Sequence, residues 1–301
     1  MKITFNSLVD SVSNSIQKNL NKLQNIQDKL SAGKNITKPS DNPINTAQIN
    51  IMKTKKSQHE QFIKTIDSSL GWLEATENNL SEINSTLVSI RSICVQAGNG
   101  ALNQDGLNAL FLQVNQLKNK LLEDANAQYL GNYLFAGLNT MQKPFEEVSG
   151  IVNYLGNDGL MLRLVSFDSN ISINIDGKRI FNIDNKISSD PNVFQIISNL
   201  EEALQSGNTE IIGTEILSQI DRATVNIQNL ISEIGAKVTR LELTKKQHES
   251  EILNITKNIS IVEDIDVADT VMELKKAETV YLTSLNLAGR IFPQSLLDFL
   301  K

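Results

Sequence analysis

Proline is absent from two long stretches of this chain, Ile44–Ala97 and Thr209–Val262, each of 54 residues. In both, apolar residues return every three or four positions, the spacing of one helix face. Ile63, Ile66, Leu70, Leu73, Leu80, Ile83, Leu87 and Ile90 form the first seam, near-heptad in period and interrupted only by Glu77. Leu217, Ile220, Ile227, Ile231, Ile234, Val238, Leu241, Ile252, Ile255, Ile259 and Val262 form the second. A helix of that length spans about 80 Å, whereas a compact globule of about 300 residues is roughly 50 Å across. The expectation is therefore an elongated, mainly α molecule, an antiparallel bundle in which the two matched helices lie side by side. Leu73, Leu80, Leu87, Ile234 and Leu241 are its expected packing positions.

Both ends of the chain carry further helical stripes. Phe5, Val9, Val12, Ile16, Leu20, Leu23, Ile26 and Leu30 mark one, and Val267, Val271, Leu274, Tyr281, Leu285 and Ile291 the other. Ser31-Ala32-Gly33 closes the first stripe, with glycine available for a left-handed cap. Pro39 and Pro43 then cannot both sit inside a helix. Either Asp41 or Asn42 can cap the next helix, with Pro43 at its first position. At the other end, Glu263-Asp264-Ile265-Asp266 reads as a break that caps a last helix. A further helix is expected over about 104–130, ahead of which Gly98-Asn99-Gly100 ends the first long segment. Ser189-Asp190-Pro191 starts another, with Phe194, Ile197, Leu200 and Leu204 on its inner face.

The middle of the chain changes period. Ile171, Ile173 and Ile175 alternate with polar residues, the pattern of a half-buried strand over Ser169–Phe181. Ile151–Leu155 and Leu160–Val165 read as strands, and Gly156-Asn157-Asp158-Gly159 and Asp176-Gly177 as hairpin turns. The organisation expected is a terminal coiled-coil pair (1–40 and 265–301), a central helical bundle (41–142 and 188–264) and a β-rich insertion (143–187).

Little in the sequence supports chemistry. Two histidines and one cysteine argue strongly against a zinc site made of Cys and His, which needs three or four such ligands. His59 and His248 sit in similar contexts, Lys55-Lys56-Ser57-Gln58-His59-Glu60 and Lys245-Lys246-Gln247-His248-Glu249, and are expected on solvated polar faces. Cys94 follows Ile90 by four residues and should be a small buried member of the seam. The acidic run at 263–269 lacks the glycine and spacing of a calcium loop. No phosphate loop or nucleophile motif occurs, so neither a catalytic constellation nor a cofactor is expected. A net charge of −6, from 28 basic and 34 acidic residues, argues against a nucleic-acid partner. No stretch reaches the ~20 apolar residues of a spanning helix, which argues against membrane insertion and against a membrane-inserting translocator. The first ten residues lack the apolar core of a secretory signal.

Several short motifs, taken in order, resemble the bacterial flagellin family from end to end. They are Ser31-Ala32-Gly33-Lys34 with Pro39-Ser40-Asp41-Asn42-Pro43; Ala97-Gly98-Asn99-Gly100; Asn126 with Gly131-Asn132-Tyr133-Leu134-Phe135-Ala136-Gly137; and Ile234-Gly235-Ala236-Lys237-Val238-Thr239-Arg240-Leu241-Glu242. Asn42, Asn35 and Lys237 depart from the usual pattern. Ser295-Leu296-Leu297-Asp298-Phe299-Leu300 is similar to members that join hook to filament rather than to those that build the filament; a minor flagellin is the alternative. The resemblance implies a structural, extracellular flagellar subunit exported by the flagellar type III path with a cytoplasmic chaperone. It also implies a ring of copies between hook-associated protein 1 and flagellin, with terminal segments that fold on assembly. The assembly surface it implies comprises Phe5, Val9, Val12, Ile16, Leu20, Leu23, Leu30, Val271, Leu274, Tyr281, Leu285, Leu296, Leu297 and Phe299, reached through a linker of Gly33, Pro39, Ser40, Asp41 and Pro43.

Overall fold

The structure is a computed structural model and describes residues 5–100, 102–183 and 191–291. The chain separates into two compact units, residues 1–58 with 250–301 and residues 59–249. The β-rich segment falls inside the second unit rather than forming a third.

The first unit holds helix α1 (Phe5–Ala32), helix α8 (Val267–Ile291), the start of α2 (Pro43–Gly98) and the end of α7 (Leu217–Glu263). Helix α1 stops where Gly33 takes φ +70, and the Lys34 amide reaches back to the Lys29 carbonyl at 3.2 Å. That left-handed cap satisfies carbonyls the helix would otherwise strand. Asn42, not Asp41, caps α2: its Oδ1 accepts from the Asn45 amide at 3.0 Å, and Pro43 opens the helix. Asp41 closes the linker turn before it, accepting from the Thr37 and Lys38 amides and the Thr37 hydroxyl. The hydrogen bond from the Lys38 amide, then that from Thr37, hold the Asp41 carboxyl below its ordinary range.

The second unit is built on the two seams. Ile66, Leu73, Leu80, Ile83, Leu87 and Ile90 of α2 are wholly buried, as are Ile220, Ile227, Ile234 and Leu241 of α7. Gly71, which costs a helix interior about 1 kcal/mol relative to alanine, has a reason here: a Cβ would lie 2.5 Å from the Tyr129 hydroxyl. Where α2 ends, Gly98 meets Gly213, and a Cβ on Gly98 would stand 2.8 Å from the Gly213 Cα. Gly213 belongs to a π-helical turn, Ile212–Ile216, joining the short α6 (Thr209–Ile211) to α7. The second long segment is thus helical throughout, with one π turn that its period did not reveal.

Helix α3 (Gln104–Ala125) ends five residues earlier than the period suggests. Asn126 stops it by reaching out of the helix. Its side chain accepts from the Phe145 amide at 3.0 Å and donates to the Phe145 carbonyl at 3.1 Å, holding strand β3 as a neighbouring strand would. The residues beyond form a small antiparallel pair, β1 (Gln128–Tyr129) with β2 (Asn132–Tyr133).

Two more hairpins follow: β3 (Phe145–Val148) with β4 (Ile151–Tyr154), and β5 (Leu162–Ser166) with β6 (Ser169–Ser172). The turns lie elsewhere than the glycine clusters suggest. Ser149 and Gly150, both at positive φ, close the first hairpin, the geometry a type I′ turn requires. The 156–159 segment instead links β4 to β5, which do not pair. Strand β6 ends at Ser172, and the alternation ends with it: Ile173, Asn174, Ile175 and Asp176 are all buried. Asp176-Gly177 is a helix start, not a hairpin: the Asp176 carboxylate accepts from the Arg179 amide at 3.0 Å and caps α4 (Gly177–Phe181). Helix α5 (Val193–Ser206) is capped by Asn192, two residues beyond the expected cap, and Ser189 and Asp190 lie outside the described residues.

Insert and bundle share one core. Phe145 of β3 packs edge-on against Phe181 of α4 at 5.0 Å and lies 5.8 Å from Phe194 of α5. The Arg240 guanidinium donates to Ser169 at 2.9 Å, fastening the β5–β6 hairpin to α7. Cys94 is fully buried, and burial, ahead of the nearby Asp221 charge, pushes its thiol up to about 12. A thiol so held carries almost no thiolate at neutral pH. Iodoacetamide at pH 8 is expected to label Cys94 only after denaturation; rapid labelling of the native protein would contradict its burial.

Candidate functional site

The candidate assembly surface belongs to the first unit, where helices meet with little beneath them. Asn19 of α1 donates to Ser284 of α8 at 2.7 Å, and Lys34 bridges to Asp264 beyond the same two helices, so α1 and α8 run antiparallel. Only Ile26, Ile49, Ala277 and Ala288 are buried apolar side chains among the described residues of this unit. Val12, Ile16, Leu20, Leu23 and Leu30 of the expected surface are half-buried, as are Leu274 and Tyr281. Val271 and Leu285 are exposed, and Leu8, Val267, Met272, Val280, Leu282 and Leu287 join them. Phe5 and Val9 lie on α1, but their side chains are outside the described residues, as are Leu296, Leu297 and Phe299 altogether. The pair therefore covers one side of each stripe and leaves the other open.

Ile49, Ala277 and Ala288 are buried contacts that the stripe pattern missed. Ala277 and Ala288 are small, and small residues let helices approach closely without adding to an apolar period.

The linker is a built device. Gly33, Pro39, Ser40, Asp41 and Pro43 are all exposed, yet the chain around them is tied to the α7–α8 break. The Asn35 amide donates to the Glu263 carbonyl at 2.7 Å, and the Ile265 amide to the Gly33 carbonyl at 3.2 Å, a short antiparallel bridge between the two connections. The Lys34 and Lys53 ammonium groups both stand 2.9 Å from Glu263 Oε1. Three carboxylates of the acidic run have structural partners: Glu263 takes two lysines, Asp264 bonds the Ser260 hydroxyl, and Asp266 caps α8 by accepting from the Ala268 and Asp269 amides. Lys34 was legible only as part of a motif, because its partner lies 229 residues away.

Burial alone would raise the Glu263 carboxyl, but hydrogen bonds from Lys34 and then Lys53, with their charges, hold it below the ordinary carboxylate range. The lysines are about half exposed, so solvent screens the pair to about 1 kcal/mol. A depressed carboxyl contributes fully above its unfolded value, near 4.3, and the contribution is lost as pH falls through the folded value. Glu263→Gln is expected to speed amide exchange at Asn35 and Ile265 about fivefold at pH 7 and to abolish the acid-dependent part of that exchange. Equal exchange in both proteins would show that the bridge does not depend on the charge.

The family motifs of the second unit acquire local reasons. Leu134, Phe135, Ala136 and Gly137 are buried, and Gly137, at φ +71, lies against Asn157. Asn157 Oδ1 accepts from the Leu138 amide at 2.9 Å and the Gly159 amide at 3.0 Å. Lys237 pairs with Glu233 at 3.0 Å beside the base of the β5–β6 hairpin.

The histidines depart from expectation. His248 is buried and its Nδ1 stands 2.8 Å from Nδ1 of His59. They do not lie on separate solvated faces.

Long paired helices, a small β-rich insert and a terminal pair without an enclosed core define a mainly α helical structural fold. The chain belongs to the flagellin family: the bacterial flagellin N-terminal helical region matches residues 3–140 and the C-terminal helical region residues 217–300. Among curated relatives, flagellar hook-associated protein 3 of Salmonella typhimurium is 23% identical over 287 residues, covering 87% of this chain and 89% of its own. Flagellin of Escherichia coli K12 is 28% identical over 178 residues, covering 59% of this chain and 32% of its own. Among solved structures, a putative flagellar hook-associated protein from Vibrio parahaemolyticus superposes with a TM-score of 0.69 at 22% identity, over 74% of this chain and 99% of that one. The flagellar junction protein FlgL from Legionella pneumophila gives 0.61 at 18% identity, over 72% and 100%. Among the described residues no helix is long and apolar enough to cross a membrane.

Proposed function

We propose that this chain is a structural subunit of the bacterial flagellum at the junction between hook and filament, and not an enzyme. The observation that carries the reading is the terminal pair, which buries three apolar side chains, Ile26, Ala277 and Ala288, among its described residues and leaves a row of leucines, valines and a methionine in water. Isolated helices are marginal in water and depend on packing for stability, and an exposed apolar patch of this kind marks an interaction surface. Neighbouring copies, arranged as a ring, supply the missing cover. Hook-associated protein 1 on one side and flagellin on the other are the partners this reading assigns, and a flagellar export chaperone shields the same stripes before secretion to the cell exterior. The terminal segments, 1–40 and 265–301, then pay their ordering cost at assembly.

Among the relatives, flagellar hook-associated protein 3 of Salmonella typhimurium and of Escherichia coli K12 align along 89% and 86% of their length and support the junction reading, whereas Escherichia coli flagellin aligns along 32%; a filament core protein of Treponema maltophilum, aligned along 91% of its length, is what keeps the minor-flagellin alternative. Deleting the gene tests it. Non-motile cells with bare hooks and flagellin shed into the medium are expected. Normal filaments on the deletion strain would overturn the junction role. Long filaments formed by the purified protein alone would favour the alternative.

A further inference from the structure

We propose that His59 and His248 form a proton-sharing staple that holds the tip of the β5–β6 hairpin against α2 and α7 at neutral pH and lets it go in acid. The inference is independent of the assembly role, since both rings and the hairpin they hold belong to the second unit.

The geometry fixes where the protons lie. His248 Nε2 stands 2.8 Å from the Val165 carbonyl, which only accepts, so that nitrogen carries a hydrogen. In neutral His248 the remaining nitrogen, Nδ1, is then an acceptor. It faces His59 Nδ1 at 2.8 Å, so His59 carries its hydrogen on Nδ1 and donates. The Phe62 ring stacks on His248 at 5.2 Å and 24°, and Phe167, in the β5–β6 turn, sets its edge against both His59 and Phe62. Strand β5 is thus tied to both helices through one chain of contacts: Val165 to His248, His248 to His59, His59 to Phe167.

One added proton is tolerated. Cationic His248 donates from both nitrogens, and His59 turns to its other tautomer and accepts. A second proton is not tolerated, because two imidazolium rings then oppose N–H groups across 2.8 Å with no acceptor between them. His59, the less buried ring, turns toward water and leaves Phe167 without its partner. The surrounding charge is of both signs, and the 2.8 Å between the facing nitrogens leaves no room for an acceptor. Within one turn on α2 lie Lys55, Lys56 and Glu60; within one turn on α7 lie Lys245, already paired with Asp67 at 2.7 Å, Lys246, Glu249 and Glu251; the hairpin contributes Asp168 beside Phe167. Two ring nitrogens also fall short of the three protein ligands used by catalytic zinc sites, which leaves proton sharing as the chemistry of the pair. Histidine contacts of this kind are the usual basis of acid-responsive packing.

The test is amide exchange of residues 165–169 in the full-length protein, corrected for the intrinsic chemical rate, at pH 7.5 and pH 5. Wild type is expected to exchange at least about tenfold faster at pH 5, and His59→Gln, whose amide bonds His248 without titrating, less than about twofold faster. A wild type without an acid response overturns the staple, and so does an equal response in His59→Gln. Should the variant fail to fold, ring nitrogen shifts of the wild type at pH 7.5 decide: hydrogen on His248 Nε2 and His59 Nδ1 is expected, and hydrogen on His248 Nδ1 would refute the arrangement.

Discussion

Replacing Gly137 by alanine is expected to cost the second unit about 3–5 kcal/mol. Gly137 sits at φ +71, a region that side chains enter only at a penalty of about 1–3 kcal/mol. A Cβ there would stand 2.1 Å from the Asn157 carbonyl oxygen and 2.4 Å from its side-chain oxygen. Neither atom is free to retreat. The Asn157 amide donates to the Ala136 carbonyl at 3.2 Å, its carbonyl lies 3.0 Å from the Tyr154 hydroxyl, and its side chain holds the Leu138 and Gly159 amides. Overpacking adds about 1–3 kcal/mol to the backbone term. Denaturant unfolding of the purified protein reads the loss directly, and a change below about 1 kcal/mol would show that the segment from 134 to 137 is not held against the 156–159 connection.

Phe145→Ala is expected to remove a further keystone, at about 3–5 kcal/mol for a fully buried phenylalanine. Its ring touches Tyr154, Phe181 and Phe194, which come from β4, α4 and α5. It also fills the space that Gly177 leaves open, where a Cβ would approach the ring to 2.5 Å. For a unit of this size each kcal/mol lowers Tm by about 2–4 °C, so calorimetry should show a fall of roughly 10 °C. Because the ring joins insert to bundle, the loss should appear in one cooperative transition. A separate low-temperature transition of the β-rich segment would instead make that segment an independent unit.

These two residues also show what a sequence discloses. Gly33, Pro43 and Gly98 punctuate locally, so both ends of α2 are legible to within a residue, and a seam such as Leu73–Leu80–Leu87 announces burial by its period alone. Asn126 does not: it ends α3 by bonding Phe145, 19 residues on, and nothing near it in the chain forces the stop. Asp176-Gly177 carries the composition of a turn and of a helix cap alike, and the deciding contact is the Gly177 amide with the Phe135 carbonyl at 3.0 Å. Gly71 looks like a flaw in a helix until Tyr129 is placed beside it. The two histidines are near twins in local context, but their meeting spans 189 residues. At the candidate surface, Val267, Val271 and Leu285 of the expected stripes are exposed, but Leu8, Met272, Val280, Leu282 and Leu287, also exposed, lie outside them; the Glu263 node was not legible either, because Lys34 and Lys53 reach it only through the fold.

The short bridge between the two connections has a mechanical consequence. Gly33 and Asn35 on one strand hold Glu263 and Ile265 on the other, with Lys53 of α2 anchored to the same carboxylate. A force that pulls on α1 is therefore delivered to α7 as well as to α2, and one that pulls on α8 returns to α2 through Lys53. Paired straps that share a load must fail together, so bending or twisting at either connection drags the other along. A subunit wired this way transmits torque through two backbones at once, and neither chain end can be stretched or turned by itself.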